Sequence, residues 1–318
     1  MTYENDNFAR PRLDPIVKRF WLAFLVGLFV LTPALVFGED KLPAEVQLTS
    51  QVTPTGDVEF FWNVAALQQI NMVDLEIGYL YDQGDHPGVF KPQHVDALLG
   101  EAAYRNLSLD SSYIFEFRLT TGDGRSFKQR LSLTTPKPLR QPATDPGINA
   151  QLAYADSHWQ TRVNPTYLYI PSNDCANFAS QTLVARGFEQ TTEWNQKDQV
   201  PTHSFVSATA LKKYLLGMPG VKELTDGQRD EVKLGDLVMF DWNRSGDTDH
   251  VGVVDFIQKQ ADGTMRIYFA QHTLHRQFRS VDWAIQVYHP NAFVSFLSLP
   301  ENQSPLSWSS LFAASNSR

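Results

Sequence analysis

The chain has 318 residues, of which 42 % are hydrophobic and 12 % aromatic, fractions typical of an ordinary globular protein. Its formal net charge of -8 argues against nucleic acid as a partner and leaves no polybasic surface for anionic lipid. A single cysteine excludes an intramolecular disulfide.

The first predicted element is the apolar run over residues 20–38, which follows a cationic segment and precedes two acids. A run of this length is just enough to span about 30 Å of hydrocarbon. Positive charge before it places residues 1–19 in the cytoplasm and the rest of the chain outside. A cleaved signal peptide, with Val36 and Gly38 before the cleavage site, is the alternative. We therefore expect an extracytoplasmic protein, tethered to the cytoplasmic membrane through this segment or secreted.

Residues 44–135 are predicted to form an all-β sandwich. Apolar and polar residues alternate over residues 46–52, 58–62 and 113–119, and a Thr-Gly-Asp-Gly turn leads to a further strand. Trp62 is expected in the core, and Tyr113 stands where a tyrosine corner would lie. The segment resembles a fibronectin type III domain. That resemblance implies a spacer or a binding module and no chemistry.

A change in character separates this region from the next. Residues 136–147 contain four prolines and no periodic apolar pattern, which predicts a stiff, extended linker. Residues 148–299 then read as helices followed by antiparallel strands, an α+β arrangement. The predicted helices cover residues 148–159, the segment after Asp174 and residues 204–216, and the predicted strands include one near residues 284–287. Residues 300–318 are expected to be a flexible tail.

The sole cysteine, Cys175, lies where a helix should begin. Ser172 or Asn173 can cap this helix, and Gly187 ends it. A thiol in the first helical turn feels the positive end of the backbone dipole, which lowers its pKa and favours the reactive thiolate. An isolated thiol in an exported chain is thus predicted to be a nucleophile.

Two histidines flank a predicted hairpin. His250 precedes one strand, His272 follows the next, and an Ala-Asp-Gly turn joins them. Because both residues are about equally far from the turn, we expect them to lie nearly opposite each other. A one-residue slip would put them on different faces. The expected result is a Cys–His–His relay in which one imidazole takes the thiol proton and the other orients the first.

These residues resemble the putative amidase domain family, which is related to the NlpC and CHAP groups of papain-like cysteine peptidases. The motifs that match are NDCANFASQ around Cys175, GDLV at residues 235–238, DHVGVV at residues 249–254 and AQHT at residues 270–273. The resemblance implies a papain-like cysteine amidase domain, with Cys175 as nucleophile, His250 as general base and His272 as orienting residue. His275 is close enough in sequence to compete with His272 for the third role.

Three polar residues of the cysteine helix are further candidates for shaping the oxyanion site or orienting the substrate, namely Asp174, Asn177 and Gln181. The expected reaction is hydrolysis of an amide or peptide bond through a thioacyl enzyme, with peptidoglycan stem peptides as the candidate substrate. Three alternatives stay open. In the first, an amine instead of water accepts the acyl group. In the second, the domain is a non-catalytic cell-wall or protein binding module, and in the third, His250, His272 and His275 hold a metal. No metal-binding sequence spacing supports the last, and no cofactor is implied.

Overall fold

A computed structural model of the chain describes residues 36–37, 42–44, 46–82, 93–160 and 164–301. The predicted membrane or signal segment, residues 20–38, lies outside this part except for its residues 36–37, and most of the predicted tail also lies outside. Over the described ranges, no helix is both long and apolar enough to cross a membrane. The described residues form one unit by their contacts.

The N-terminal part is built from eight strands and one short helix. Their bounds are β1 (Val36–Phe37), β2 (Leu48–Val52), β3 (Val58–Trp62), α1 (Val64–Gln69), β4 (Met72–Asp82), β5 (Gln93–His94), β6 (Glu101–Tyr104), β7 (Ser112–Thr121) and β8 (Ser126–Thr134). One antiparallel sheet has the order β2-β3-β6, and the other has the order β1-β8-β7-β4-β5. The predicted alternation in β3 and β7 is confirmed, because their inward residues are the buried ones.

Aromatic side chains fill the space between these two sheets. Phe60 of β3 packs edge-to-face on Phe117 of β7, with ring centroids 4.8 Å apart. Trp62 is buried as predicted, and its indole N–H donates to the carbonyl of Ala97 at 2.7 Å. The hydroxyl of Tyr113 accepts from the backbone N–H of Ser108 at 2.8 Å, which is the predicted tyrosine corner. This part is therefore a two-sheet sandwich.

The C-terminal part begins with helices and ends with a sheet. Its elements are α2 (Pro146–His158), α3 (Cys175–Arg186), β9 (Gln196–Lys197), β10 (Val200–Pro201), α4 (His203–Val206), α5 (Ala208–Leu216), β11 (Lys222–Thr225), β12 (Leu237–Asp241), β13 (His250–Lys259), β14 (Met265–Gln271), β15 (Arg276–Ser280), α6 (Val281–Trp283) and β16 (Phe293–Ser298). Six strands form one antiparallel sheet of order β11-β16-β12-β13-β14-β15. This mixed arrangement agrees with the expected helices followed by antiparallel strands.

Two predicted elements of this part are wrong in detail. The single helix expected over residues 204–216 is two helices, because Ser207 is extended and caps α5 by accepting from the N–H of Ala210. The strand expected near residues 284–287 is a π-helical turn, Ala284–Tyr288. This turn follows α6 directly and does not pair with the sheet.

The sheet separates two apolar clusters. On one face, α2, α3 and α5 pack on inward residues of the central strands, including Val251, Val253 and Ala270. On the other face, Phe240, Val254 and Phe269 form a second cluster. Successive residues of a strand point to opposite faces, so the parity of a residue in β13 or β14 decides which cluster it joins.

The sandwich and the C-terminal part are joined by polar contacts. Arg266 of β14 pairs with Asp57 at 2.7 Å, and both side chains are largely buried. The indole N–H of Trp283 donates to the hydroxyl of Tyr79 at 2.9 Å. The predicted linker has no helix or strand before α2, and its Arg140 pairs with Asp156 at 2.5 Å. The linker therefore lies against the domain that follows it.

Candidate functional site

Cys175 is the first residue of α3, as the sequence predicts. Asp174 occupies the N-cap position without a side-chain cap hydrogen bond, so neither predicted candidate, Ser172 or Asn173, is the N-cap, and the helix ends at Gly187 with a φ of 106°. The Cys175 side chain is 3 % exposed. Burial raises the pKa of the thiol, whereas the backbone N–H groups of Val251 and Ala176 act in the opposite direction. Burial is the larger effect, so the lowered pKa expected from the helix terminus alone is not found.

Asp174 connects the start of α3 to its surroundings. One carboxylate oxygen accepts from the backbone N–H of Ile170 at 3.0 Å and from the amide of Asn177 at 2.7 Å. The other oxygen lies 2.6 Å from Nδ1 of His272. The backbone N–H of Asp174 donates to the hydroxyl of Thr273 at 3.1 Å. Asp174 thus fixes the loop before Cys175 against the end of β14.

His272 is held on both of its nitrogens. Nδ1 meets the carboxylate of Asp174, and Nε2 lies 2.8 Å from the carbonyl of His158 at the end of α2. Its ring stacks on Phe178 of α3, with centroids 4.1 Å apart. Both polar partners offer acceptor oxygens to the ring. In this arrangement the side chain ties α2, α3 and β14 together.

His250 has a different partner from the one that the sequence predicts. Its Nε2 lies 2.8 Å from Oε1 of Gln271, the last residue of β14. Because an amide oxygen can only accept, Nε2 carries the proton and Nδ1 is the basic nitrogen. Burial and the charge of Arg279 lower the pKa of His250 to about 3, so the imidazole is neutral at physiological pH.

A β-bulge explains this exchange of partners. Near the turn, Phe256 pairs with Tyr268, but beyond Asp255 the register moves by one residue, and Val253 pairs with Ala270. Continuing this register sets Gln271 opposite Gly252, on the face of His250, and His272 on the other face. The expectation that His250 and His272 share a face is therefore wrong.

Cys175 and the two histidines lie near the ends of β13 and β14 without a relay between them, and His250 lies on the sheet face opposite the one on which α3 packs. Among the described residues, the Cys175 thiol has no side-chain hydrogen bond to His250 or His272. Cys175 contacts the start of β13 through the backbone N–H of Val251, the residue after His250. The His275 ring packs edge-to-face on that of His272 at 4.8 Å, and its Nδ1 lies 3.2 Å from the carbonyl of Trp159.

The remaining candidates hold the surrounding backbone. Asn177 donates to the carbonyl of Leu168 at 2.5 Å as well as to Asp174. Gln181 accepts from the hydroxyl of Tyr154 at 2.5 Å. Asn177 therefore supports the loop before Cys175, whereas Gln181 ties α3 to α2. Gln271 is the site residue that sequence reasoning missed, and its only signal was its place beside His272 in the AQHT motif.

A cleft of about 460 Å³ opens beside His250. Its walls combine the loop before Cys175, the segment after β14 and the turn after α6. The lining residues are Tyr169, Pro171, Ser172, Trp242, His250, Thr273, Leu274, His275, Arg279, Tyr288 and His289. Its volume is that of a site for a small molecule or a short peptide.

Within the ranges that the structure describes, acidic and histidine side chains close enough to share a metal ion occur on the sandwich, at Asp74, Glu76 and His94. His94 is exposed and already pairs with Asp74 at 2.9 Å. The predicted alternative of a metal held by His250, His272 and His275 does not match this group.

Comparison with known protein families agrees with the amidase resemblance found in the sequence of this domain. Residues 148–297 match the family described as "Putative amidase domain", which confirms the resemblance found in the sequence. This match suggests an amidase-type hydrolase. The papain-like architecture stays a prediction.

A curated relative and several solved structures are also similar. The "Uncharacterized protein YjcM" of Bacillus subtilis (strain 168) is 29 % identical over 135 residues, which are 40 % of this chain and 31 % of that protein. The chain thus spans about a third of the relative's length. The fibronectin domain of human collagen alpha-1(XX) is 19 % identical, with a TM-score of 0.25, and covers 34 % of this chain and 97 % of its own. The corresponding domain of human contactin 1 is 19 % identical, with a TM-score of 0.25, and covers 37 % of this chain and 96 % of its own.

Proposed function

We propose that this protein is a cysteine amidase or peptidase in which Cys175 is the nucleophile, His250 the general base and Gln271 the residue that orients His250. The hydrogen bond from His250 Nε2 to Gln271 Oε1 at 2.8 Å carries the proposal. It fixes the tautomer of the imidazole and leaves Nδ1 as the nitrogen that can take a proton. In this assignment His272 supports the helix that bears the nucleophile and does not act on His250.

The reaction divides amide cleavage into two acyl transfers. His250 Nδ1 takes the proton of Cys175 as the sulfur attacks the carbonyl carbon, and the same proton then passes to the leaving amine. Water attacks the resulting thioester, gives its proton to His250 and releases the acid and the free thiol. The raised pKa of Cys175 and the low pKa of His250 favour the neutral pair at rest. Proton transfer therefore accompanies attack on the bound substrate.

The substrate proposed is a peptide or an amide outside the cytoplasm, with peptidoglycan stem peptides as the candidate. The apolar run at residues 20–38, with cations before it and acids after it, supports that location. An amine in place of water as acceptor would make the same mechanism a transpeptidase or acyltransferase.

Mass spectrometry of the intact chain tests the thioacyl step directly, because only one cysteine is present. The full-length protein is incubated with a panel of short peptides and peptide amides, and is then quenched with acid. An acyl adduct on Cys175, absent from Cys175→Ala and reduced in His250→Gln, is the expected result. Cleaved product without any dependence on Cys175 would refute the proposal.

A non-catalytic binding module is the second candidate. The observation that favours it is the buried, protonated thiol, which has no imidazole hydrogen bond in the described structure. Under this alternative, Cys175→Ala binds the same peptides as the unchanged chain, and neither protein cleaves them. Turnover by the unchanged chain alone would exclude it.

A further inference from the structure

We propose that the cleft beside His250 receives a carboxylate of the substrate and that Arg279 is the residue that selects it. The inference rests on the proposed amidase function and names the class of substrate, namely a peptide whose free carboxylate lies close to the scissile amide.

Arg279 is a buried cation in the wall of this cleft. Arg279 is only 2 % exposed, although β15, the strand that carries it, lies at the edge of the sheet. The guanidinium lies over three aromatic rings, at 4.8 Å from the centroid of Tyr288, 5.2 Å from that of Trp283 and 5.9 Å from that of Phe269. These ring faces restrict the movement of the guanidinium and stabilise its charge away from bulk water. The cation is therefore held in place before any ligand enters.

The charge of Arg279 reaches the groups that face the cleft. It is one of the causes that lower the pKa of both His250 and His289, after burial in each case. None of the described residues that line the cleft is an aspartate or a glutamate, and the nearby carboxylate of Asp249, which raises the pKa of His289, has less effect on it than burial and Arg279 together. A positive potential in a partly water-excluded space favours an anionic ligand.

The chemistry of arginine specifies which anion this would be. A guanidinium presents its N–H donors as a planar fork that matches a carboxylate, and such charge-assisted bonds are about twice as strong as neutral ones. Arg279 and His250 line the same cleft of about 460 Å³, so one short ligand can meet both residues. A peptide bound by its carboxylate at Arg279 would present a nearby amide to His250.

The test compares two probes that differ only in charge. N-acetyl-alanyl-alanine and its C-terminal amide are titrated calorimetrically into the full-length Cys175→Ala chain, which cannot turn over either probe. We expect the free acid to bind about 10-fold more tightly than the amide, as one charge-assisted pair would give. In Arg279→Gln on the same background, this preference should fall to about 1-fold. Equal affinities in the Cys175→Ala chain, or no detectable binding of the acid, would overturn the inference.

Two further variants serve as controls for the role of Arg279. Arg125→Gln removes an exposed cation from the sandwich and should leave the preference unchanged. Arg279→Lys keeps the charge but loses the fork, and should reduce the preference several-fold even if Arg279→Gln does not fold. The two proposals fail separately. Acid preference without turnover would contradict only the enzyme, and turnover without acid preference would contradict only the role of Arg279.

Discussion

Gln271 and His250 meet across the β13–β14 hairpin, with Oε1 of the amide 2.8 Å from Nε2 of the imidazole. Gln271 is fully buried, and the bulge at Asp255 brings it onto the same face as His250. A glutamine in this position fixes the ring without adding charge, so His250 stays neutral and keeps one basic nitrogen.

Loss of the Gln271 side chain should impair catalysis more than stability. Gln271→Ala frees the His250 ring to rotate, and we expect kcat to fall on the order of 100-fold, as for a catalytic group misplaced by about 1 Å. Steady-state kinetics on the peptide that forms the thioacyl adduct would measure this. Gln258→Ala, near the turn of the same hairpin, is the matched control and should retain full kcat. Unchanged kcat in Gln271→Ala would show that the amide does not orient the base.

Replacement of His272 should instead weaken the fold. His272→Phe keeps an aromatic ring on Phe178 but leaves the carboxylate of Asp174, 3 % exposed at its side chain, without its imidazole partner. Removing one member of a buried pair typically costs about 3 kcal/mol of unfolding free energy. Urea denaturation of the full chain would measure it, with the less buried His275→Phe as control. A loss no greater than that of the control would mean that the pair with Asp174 contributes little.

The thiol should react slowly in the folded protein. Because burial raises the pKa of Cys175, the thiolate fraction is small at neutral pH and increases only above the ordinary thiol range. We expect the rate of alkylation by iodoacetamide to be much lower than that of the same chain in denaturant, and to rise only above the ordinary thiol pKa of about 8.5. Rapid alkylation near pH 6 would instead indicate a preformed thiolate–imidazolium pair.

The bulge residue should make stability depend on pH. Burial raises the pKa of Asp255 to about 7, above its ordinary value of 3.8, so the folded state holds a proton that the unfolded state has released. Between these values the contribution of Asp255 to stability decreases as pH rises, since the folded chain binds more protons than the unfolded one. Asp255→Asn keeps an acceptor for the N–H of Phe278, which lies 2.9 Å from the carboxylate.

The difference between these two chains isolates the effect of Asp255. We expect Asp255→Asn to be more stable than the unchanged chain by about 1 kcal/mol or more at pH 8, and the two to converge near pH 4. Urea denaturation at several pH values would measure this. A constant difference across the range would show that Asp255 does not titrate between the two states.

Much of the fold could be predicted because the residues concerned repeat at regular spacing. Alternation revealed the strands of the sandwich, and helical spacing with a terminal glycine revealed α3. Regular spacing does not predict the bulge, because Asp255 lies within an otherwise continuous apolar strand. The one sequence signal for the bulge is Asp255 itself, a charged residue within a strand that is otherwise buried.

The chemistry of the site depended on that missed feature. The sequence predicts Cys175 and His250 as site residues, but the predicted pairing of His250 with His272 required an unbroken register. The burial that raises the pKa of Cys175 also depends on how α3 packs on β13, a tertiary contact that helical spacing does not report.

The bulge has a consequence for how such sites change during evolution. Two neighbouring residues at the end of β14, one an amide and one an imidazole, are both suited to orient a catalytic histidine. A single extra residue in the opposing strand determines which of them does so. If the strand passed Asp255 without a bulge at unchanged length, the Phe256–Tyr268 register would continue and place His272, instead of Gln271, on the face of His250. A change of register far from the nucleophile would thus exchange a neutral third residue for a titratable one, without any substitution in the site.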